Sequence, residues 1–129
     1  MAKILIVEDN ALNIKLFCDL LAAHGHTPEA VTDSRLALDA ARNFRPDLVI
    51  TDIQLPHVSG LELIRLLRAD ADLREVPIMA VTAYSATGDE ERIRGAGAQA
   101  YVAKPISVVR FVASVDELLT SQPAVPAAS

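Results

Sequence analysis

Four short polar motifs stand at the ends of apolar runs along this chain, and their side chains are of types that bind metal ions and phosphate. They are the acidic pair Glu8 and Asp9, the single acid Asp52, the hydroxyl residue Thr82, and the dipeptide Lys104-Pro105. Carboxylates hold divalent cations, whereas an ammonium group and a hydroxyl contact phosphoryl oxygens. The pattern predicts a pocket for a cation and a phosphoryl group, provided that the fold brings the four motifs together.

The elements that would position these motifs can be read from the apolar pattern. The runs at 4–7, 48–50 and 78–81 are continuous, which is typical of strands buried on both faces of a parallel sheet. The sequence predicts strands at 3–7, 27–31, 47–51, 77–82 and 99–103, and helices at 10–24, 34–44, 59–69, 88–95 and 107–121. This alternation predicts an α/β fold, and Pro28 and Glu29 favour an edge position for the second strand.

The functional crevice of an open parallel sheet lies at the carboxyl ends of its strands. If the first and third strands are neighbours, their three acids come close together and repel one another unless a cation intervenes. Mg²⁺, or Mn²⁺ in its place, suits such oxygen donors. We expect Asp52 to accept the phosphoryl group, since Glu8 and Asp9 form a pair suited to metal binding. Lys104 and Thr82 would then meet the charge on the transferred group.

Each motif taken singly also fits a structural role. Asp9 and Asn10 could cap the first helix, Asp52 could form a turn, and Lys104 could be a solvated surface charge. Their joint occurrence, in order and at four strand ends, favours the functional interpretation.

Composition narrows the class of protein further. The chain has 129 residues, 51% of them apolar, and a formal charge of -5, which argues against a DNA-binding protein. No apolar stretch approaches the ~20 residues that cross a bilayer. The single Cys18 fits a helix core and a reducing compartment. We expect a cytoplasmic protein with one domain over residues 1–121 and a flexible tail over 122–129.

The motifs resemble those of the receiver domains of two-component response regulators, over about residues 3–121. The matching stretches are Ile4-Leu5-Ile6-Val7-Glu8-Asp9, Asp52-Ile53-Gln54-Leu55-Pro56 with Ser59-Gly60, Val81-Thr82-Ala83, and Lys104-Pro105. The resemblance implies a doubly wound (βα)5 flavodoxin-like sheet with strand order 2-1-3-4-5. It also implies Mg²⁺-dependent transfer of a phosphoryl group to Asp52 from a histidine kinase or a histidine phosphotransfer protein.

Further roles follow from the resemblance alone. The backbone carbonyl of Gln54 would be a metal ligand beside the three carboxylates, and Lys104-Pro105 would be joined by a cis peptide bond. Thr82 would move toward the aspartyl phosphate, with Tyr101 rotating in behind it. The face around the fourth helix, fifth strand and fifth helix, residues 88–115, would then bind partners.

The chain also resembles, within that family, the single-domain regulators of cell division in alphaproteobacteria. We therefore expect a stand-alone regulator that is recruited to membrane-bound kinases and is no enzyme beyond self-catalysed phosphotransfer and dephosphorylation. Two alternatives stay open. A phosphatase with an aspartyl nucleophile would want a second acid where Gln54 stands. A flavin-binding domain of the same topology would want a phosphate-cradling loop where Glu8-Asp9-Asn10 stand.

Overall fold

A computed structural model describes residues 2–55, 57–82, 87–103 and 107–120, the side chains of 87–90 excepted. The strands are β1 (Lys3–Val7), β2 (Thr27–Val31), β3 (Leu48–Asp52), β4 (Ile78–Thr82) and β5 (Ala100–Ala103). The helices are α1 (Ala11–Ala23), α2 (Ala37–Phe44), α3 (Gly60–Ala69), α4 (Thr87–Ala96) and α5 (Val108–Thr120), with a short 3₁₀ turn at Ser34–Leu36. The predicted α/β alternation is confirmed, with most bounds within one residue.

The five strands form one parallel sheet in the order β2-β1-β3-β4-β5, as predicted. The strand β2 lies at an edge, which explains how it accommodates Pro28 and Glu29. In the centre, Val7 pairs with Thr51, and Asp52 pairs with Val81. The carboxyl ends of β1, β3 and β4 are therefore level along one edge of the sheet.

Helices cover both faces of the sheet, so the central strands are buried on both sides. On one face α1 and α5 pack together, with the rings of Phe17 and Phe111 stacked at 5.1 Å between centroids. The other face is covered by α2, α3 and α4. Because β1, β3 and β4 bury side chains in both directions, their sequences are continuously apolar rather than alternating.

Short polar side chains and glycines set the helix ends. The Asn10 side chain accepts a hydrogen bond from the Asn13 N–H (3.0 Å), and Ser59 Oγ accepts one from the Glu62 N–H (3.2 Å). After α4, Gly97 takes a φ of 127°, a left-handed value that suits glycine. Among the helices that the structure describes, none has the length and hydropathy needed to cross a membrane.

Candidate metal and phosphoryl site

Three carboxylates meet at the carboxyl edge of the sheet. Glu8 and Asp9 follow β1, and Asp52 ends the neighbouring strand β3. One carboxylate oxygen of each lies within 4.8 Å of those of the other two. Glu8 and Asp52 are almost fully buried, at 1% and 3% exposure, while Asp9 is exposed. The structure thus brings together the three acids that the sequence nominated for a metal site.

Backbone hydrogen bonds orient two of these carboxylates. Glu8 Oε2 accepts a bond from the Asn10 N–H (3.1 Å), and Asp52 Oδ1 accepts one from the Gln54 N–H (2.9 Å). Asn10 therefore has two roles: its N–H holds the Glu8 carboxylate, and its side chain caps α1. The capping role that the sequence left open for Asn10 is real, and it coexists with the acidic cluster.

The loop after β3 is pressed closely against the candidate site. Gly60, the first residue of α3, donates its N–H to the Ile53 carbonyl (3.0 Å). A Cβ on Gly60 would meet the backbone of Asp52 and Ile53, with the Asp52 carbonyl carbon at 2.9 Å. Only glycine fits here, because the start of α3 lies directly on the strand end that carries Asp52. Gln54 lies in this loop with its side chain exposed.

Thr82 and Tyr101 lie on one face of the sheet, beside α4. Thr82 ends β4 and is 1% exposed. Tyr101 pairs with Ala80 on β4, and it packs, half-buried, against the core cluster that contains Ile93 of α4. Because side chains two residues apart on a strand share a face, Ala80 and Thr82 point to the same side as Tyr101. Thr82 and Tyr101, the two residues expected to move on phosphorylation, therefore lie on the same face of the sheet. Their movement stays a prediction.

Two further predicted site residues belong to the segment that follows β5. Lys104 and Pro105 come directly after β5 but lie outside the described residues. The lysine's role and the cis peptide bond therefore stay predictions.

The donor set fits a hard divalent cation. All three side chains offer carboxylate oxygens, which Mg²⁺ prefers, and two of the three are withdrawn from bulk water. Buried like charges at this separation repel one another strongly without a cation. Neither His nor Cys belongs to this cluster, and so the donor chemistry does not favour zinc.

One contact beside the site was missed by sequence reasoning. Ser34, in the 3₁₀ turn after β2, accepts a hydrogen bond on Oγ from the Val58 N–H (3.1 Å) in the β3–α3 loop. The two residues are 24 positions apart, and a serine after an aspartate reads as an ordinary turn. Only its burial, at 3% exposure, marks it out.

Comparison with known families fits this geometry. The model of the response regulator receiver domain matches residues 4–116 of the chain. With a parallel sheet of this strand order and acids at its carboxyl edge, the chain belongs to the response regulator receiver domain family.

Relatives within the family are more specific. The chain is 52% identical to the polar-differentiation response regulator DivK of Brucella anthropi over 116 residues, covering 90% of this chain and 94% of that protein. The same regulator of Brucella ovis is 51% identical, with the same coverage.

Solved structures share the fold. The receiver domain of the sensor histidine kinase PA1611 from Pseudomonas aeruginosa, which has a magnesium ion coordinated in its active site cleft, is 32% identical with a TM-score of 0.85. That match covers 93% of this chain and 98% of the other. The Vibrio cholerae chemotaxis protein CheY4 is 25% identical with a TM-score of 0.87, over 92% and 99% of the two chains.

Proposed function

We propose that this protein accepts a phosphoryl group on Asp52, in a Mg²⁺-dependent reaction, from a histidine kinase or a histidine phosphotransfer protein. The observation that carries the proposal is the cluster of Glu8, Asp9 and Asp52 beside Thr82, in a chain of the receiver family. The proposed receiver domain spans residues 1–121, and the tail expected over 122–129 lies outside the described residues.

In the proposed reaction a carboxylate oxygen of Asp52 forms a bond to phosphorus while the P–N bond of the donor phosphohistidine breaks. The electron pair of that bond returns to the imidazole, which takes a proton from solvent. The hydrogen bond from the Gln54 N–H restrains the orientation of the Asp52 carboxylate that would attack phosphorus.

Glu8, Asp9, Asp52 and the backbone carbonyl of Gln54 would hold the cation. Mg²⁺, or Mn²⁺ in its place, would neutralise charge on the phosphoryl oxygens. Lys104 and Thr82 would contact other oxygens of the same group.

The signal would leave through the face formed by α4, β5 and α5, residues 88–115. Thr82 ends β4, which lies in the sheet between β3, the strand of Asp52, and β5, the strand of Tyr101, and this order supports a path from phosphorylation to this face. Such a switch needs two packings of similar energy that the new charge contacts can bias.

The partners and the cellular role rest on the relatives. Similarity to a polar-differentiation regulator supports a role in cell-division control, with histidine kinases or phosphotransfer proteins as partners. We propose that the protein is cytoplasmic, is recruited to membrane-bound kinases, and acts by binding rather than as an enzyme on small molecules. The phosphatase and flavin alternatives gain nothing from the site: Gln54 is not an acid, and Glu8 and Asp9 would repel a flavin phosphate.

Phosphotransfer tests the site. A phosphorylated histidine kinase should transfer label to wild type and to Asp72→Asn, an exposed acid between α3 and β4, but not to Asp52→Asn. Label that persists in Asp52→Asn would refute the assignment of the phosphoacceptor.

Partner binding tests the output face. Val109 of α5 is 78% exposed and Leu36 is 59% exposed beside α2, so each can become glutamate without disturbing the core. For the phosphorylated protein, Val109→Glu should weaken kinase binding about tenfold or more, while Leu36→Glu should leave it unchanged. Equal binding by phosphorylated and unphosphorylated wild type would contradict the proposed output.

A further inference from the structure

Ser34 is a buried polar residue outside the acidic cluster. The described polar or charged residues that are almost fully buried are Glu8, Ser34, Thr51, Asp52 and Thr82, and the other four lie in or directly after β1, β3 and β4. Ser34 instead begins the 3₁₀ turn that follows the edge strand β2. Because Ser34 is only 3% exposed, its hydroxyl should have a hydrogen-bond partner within the protein.

One hydrogen-bond partner of Ser34 lies in the loop next to the candidate metal site. Ser34 Oγ accepts a hydrogen bond from the Val58 N–H at 3.1 Å, so the β2–α2 connection holds the β3–α3 loop at a residue two positions before α3. The same loop is held near its ends by its own atoms. The Gln54 N–H donates to Asp52 Oδ1, and the Gly60 N–H donates to the Ile53 carbonyl.

The restraint falls beside a strained residue. His57, directly before Val58, has a φ of 69°, in the left-handed region that residues other than glycine seldom adopt. A strained backbone persists only where its surroundings determine it. The Ser34 hydrogen bond supplies such a determinant from a separate element of the fold.

We propose that Ser34 is a positioning residue for the metal site: its hydroxyl fixes Val58, and thereby the loop from which the Gln54 carbonyl would bind Mg²⁺. This inference rests on the proposed function. Without the hydroxyl, Val58 loses its acceptor, and cation binding must then order a looser loop. Since one hydrogen bond contributes about 1 kcal/mol net, we expect the Mg²⁺ dissociation constant of Ser34→Ala to rise about fivefold.

The test is a titration of ¹⁵N-labelled protein with magnesium chloride alone, followed by the amide shifts of the site. Ile4→Val is the matched control, because it weakens the buried core at the opposite end of β1. Ser34→Ala should raise the dissociation constant while Ile4→Val leaves it within about twofold of wild type. Saturating Mg²⁺ should restore the phosphorylation rate of Ser34→Ala to within about twofold of wild type.

Two results would overturn the role of Ser34: a wild-type dissociation constant in Ser34→Ala, or an equal rise in Ile4→Val. If Ser34→Ala does not fold, hydrogen exchange of the Val58 amide in the wild-type protein tests the inference instead. The Val58 amide should be protected and should gain protection with Mg²⁺, and an unprotected Val58 would reject the inference. If wild type itself binds no Mg²⁺, the proposed function fails as well, whereas a null result in Ser34→Ala alone leaves that function standing.

Discussion

Replacing Gly60 by alanine should be among the most damaging small changes that this chain can suffer. The added Cβ would collide with the backbone of Asp52 and Ile53, and with the Asp52 carbonyl carbon at 2.9 Å. Backbone atoms of a central strand cannot rotate aside as a flexible side chain can. Overpacking typically lowers the free energy of unfolding by about 1–3 kcal/mol. Because the added Cβ would meet backbone atoms, we expect Gly60→Ala to lower it by about 3 kcal/mol.

Gly95 offers the matched control. It lies inside α4, and a Cβ there would meet nothing within 4 Å. Alanine in a helix interior is more stable than glycine by about 0.5–1 kcal/mol, so Gly95→Ala should raise the free energy of unfolding. The two Gly→Ala changes should thus differ by about 4 kcal/mol, and in opposite directions from wild type.

Urea denaturation of the three proteins measures this difference directly, with equal m values required for a valid comparison. Gly60→Ala should also bind Mg²⁺ more weakly, because α3 can retreat only by moving the loop after Asp52. A free energy of unfolding for Gly60→Ala within about 0.5 kcal/mol of wild type would refute the close packing described here.

Three further predictions concern the rest of the fold. Hydrogen bonds from Arg35 hold the pKa of Asp33 at about 2, so this carboxylate stabilises the fold above its ordinary pKa of 3.8, and the effect is lost as the pH falls through about 2. Carboxyl NMR titration should show that pKa rising in Arg35→Gln, and no rise would contradict the ion pair. Phe111→Ala should lower the free energy of unfolding by about 3–5 kcal/mol, since the ring is 0% exposed and stacks on Phe17; a loss under about 1 kcal/mol in urea would be inconsistent with that packing. Burial raises the pKa of the Cys18 thiol, so at neutral pH a thiol reagent should modify it more slowly in the native protein than in the urea-unfolded protein. Equal rates of modification would contradict the partial burial of Cys18.

The central strands β1, β3 and β4 were predictable because strands that are buried on both faces have continuously apolar sequences. Runs such as Ile4 to Val7 are apolar without interruption, and the structure buries each of those side chains. The convergence of Glu8, Asp9 and Asp52 followed from parallel topology, since neighbouring strands end at the same edge. The start of the second helix was less accurate, because residues 34–36 form a 3₁₀ turn that satisfies a similar local pattern.

Contacts between distant elements could not be predicted in this way. Arg68 of α3 donates from Nε to the Gly97 carbonyl (2.9 Å) and from its terminal nitrogens to Val76 and Gln99 (2.6 Å each). Burial lowers its pKa, whereas its sequence position on an amphipathic helix is that of a solvated arginine. The Ser34 bond to Val58 is of the same kind. Such contacts join segments that are distant in sequence. They depend on how the finished elements pack together, which the pattern of residues within one element does not indicate.

The most direct test of the proposed function is to locate the phosphoryl group itself. Protein phosphorylated by a histidine kinase in the presence of Mg²⁺ should be treated with borohydride, which reduces an aspartyl phosphate to homoserine, and then mapped by peptide mass spectrometry. The proposed function predicts a Mg²⁺-dependent homoserine signal at position 52 alone. A signal at Asp9 or at any other acid in place of Asp52, or one that forms equally without a divalent cation, would contradict it.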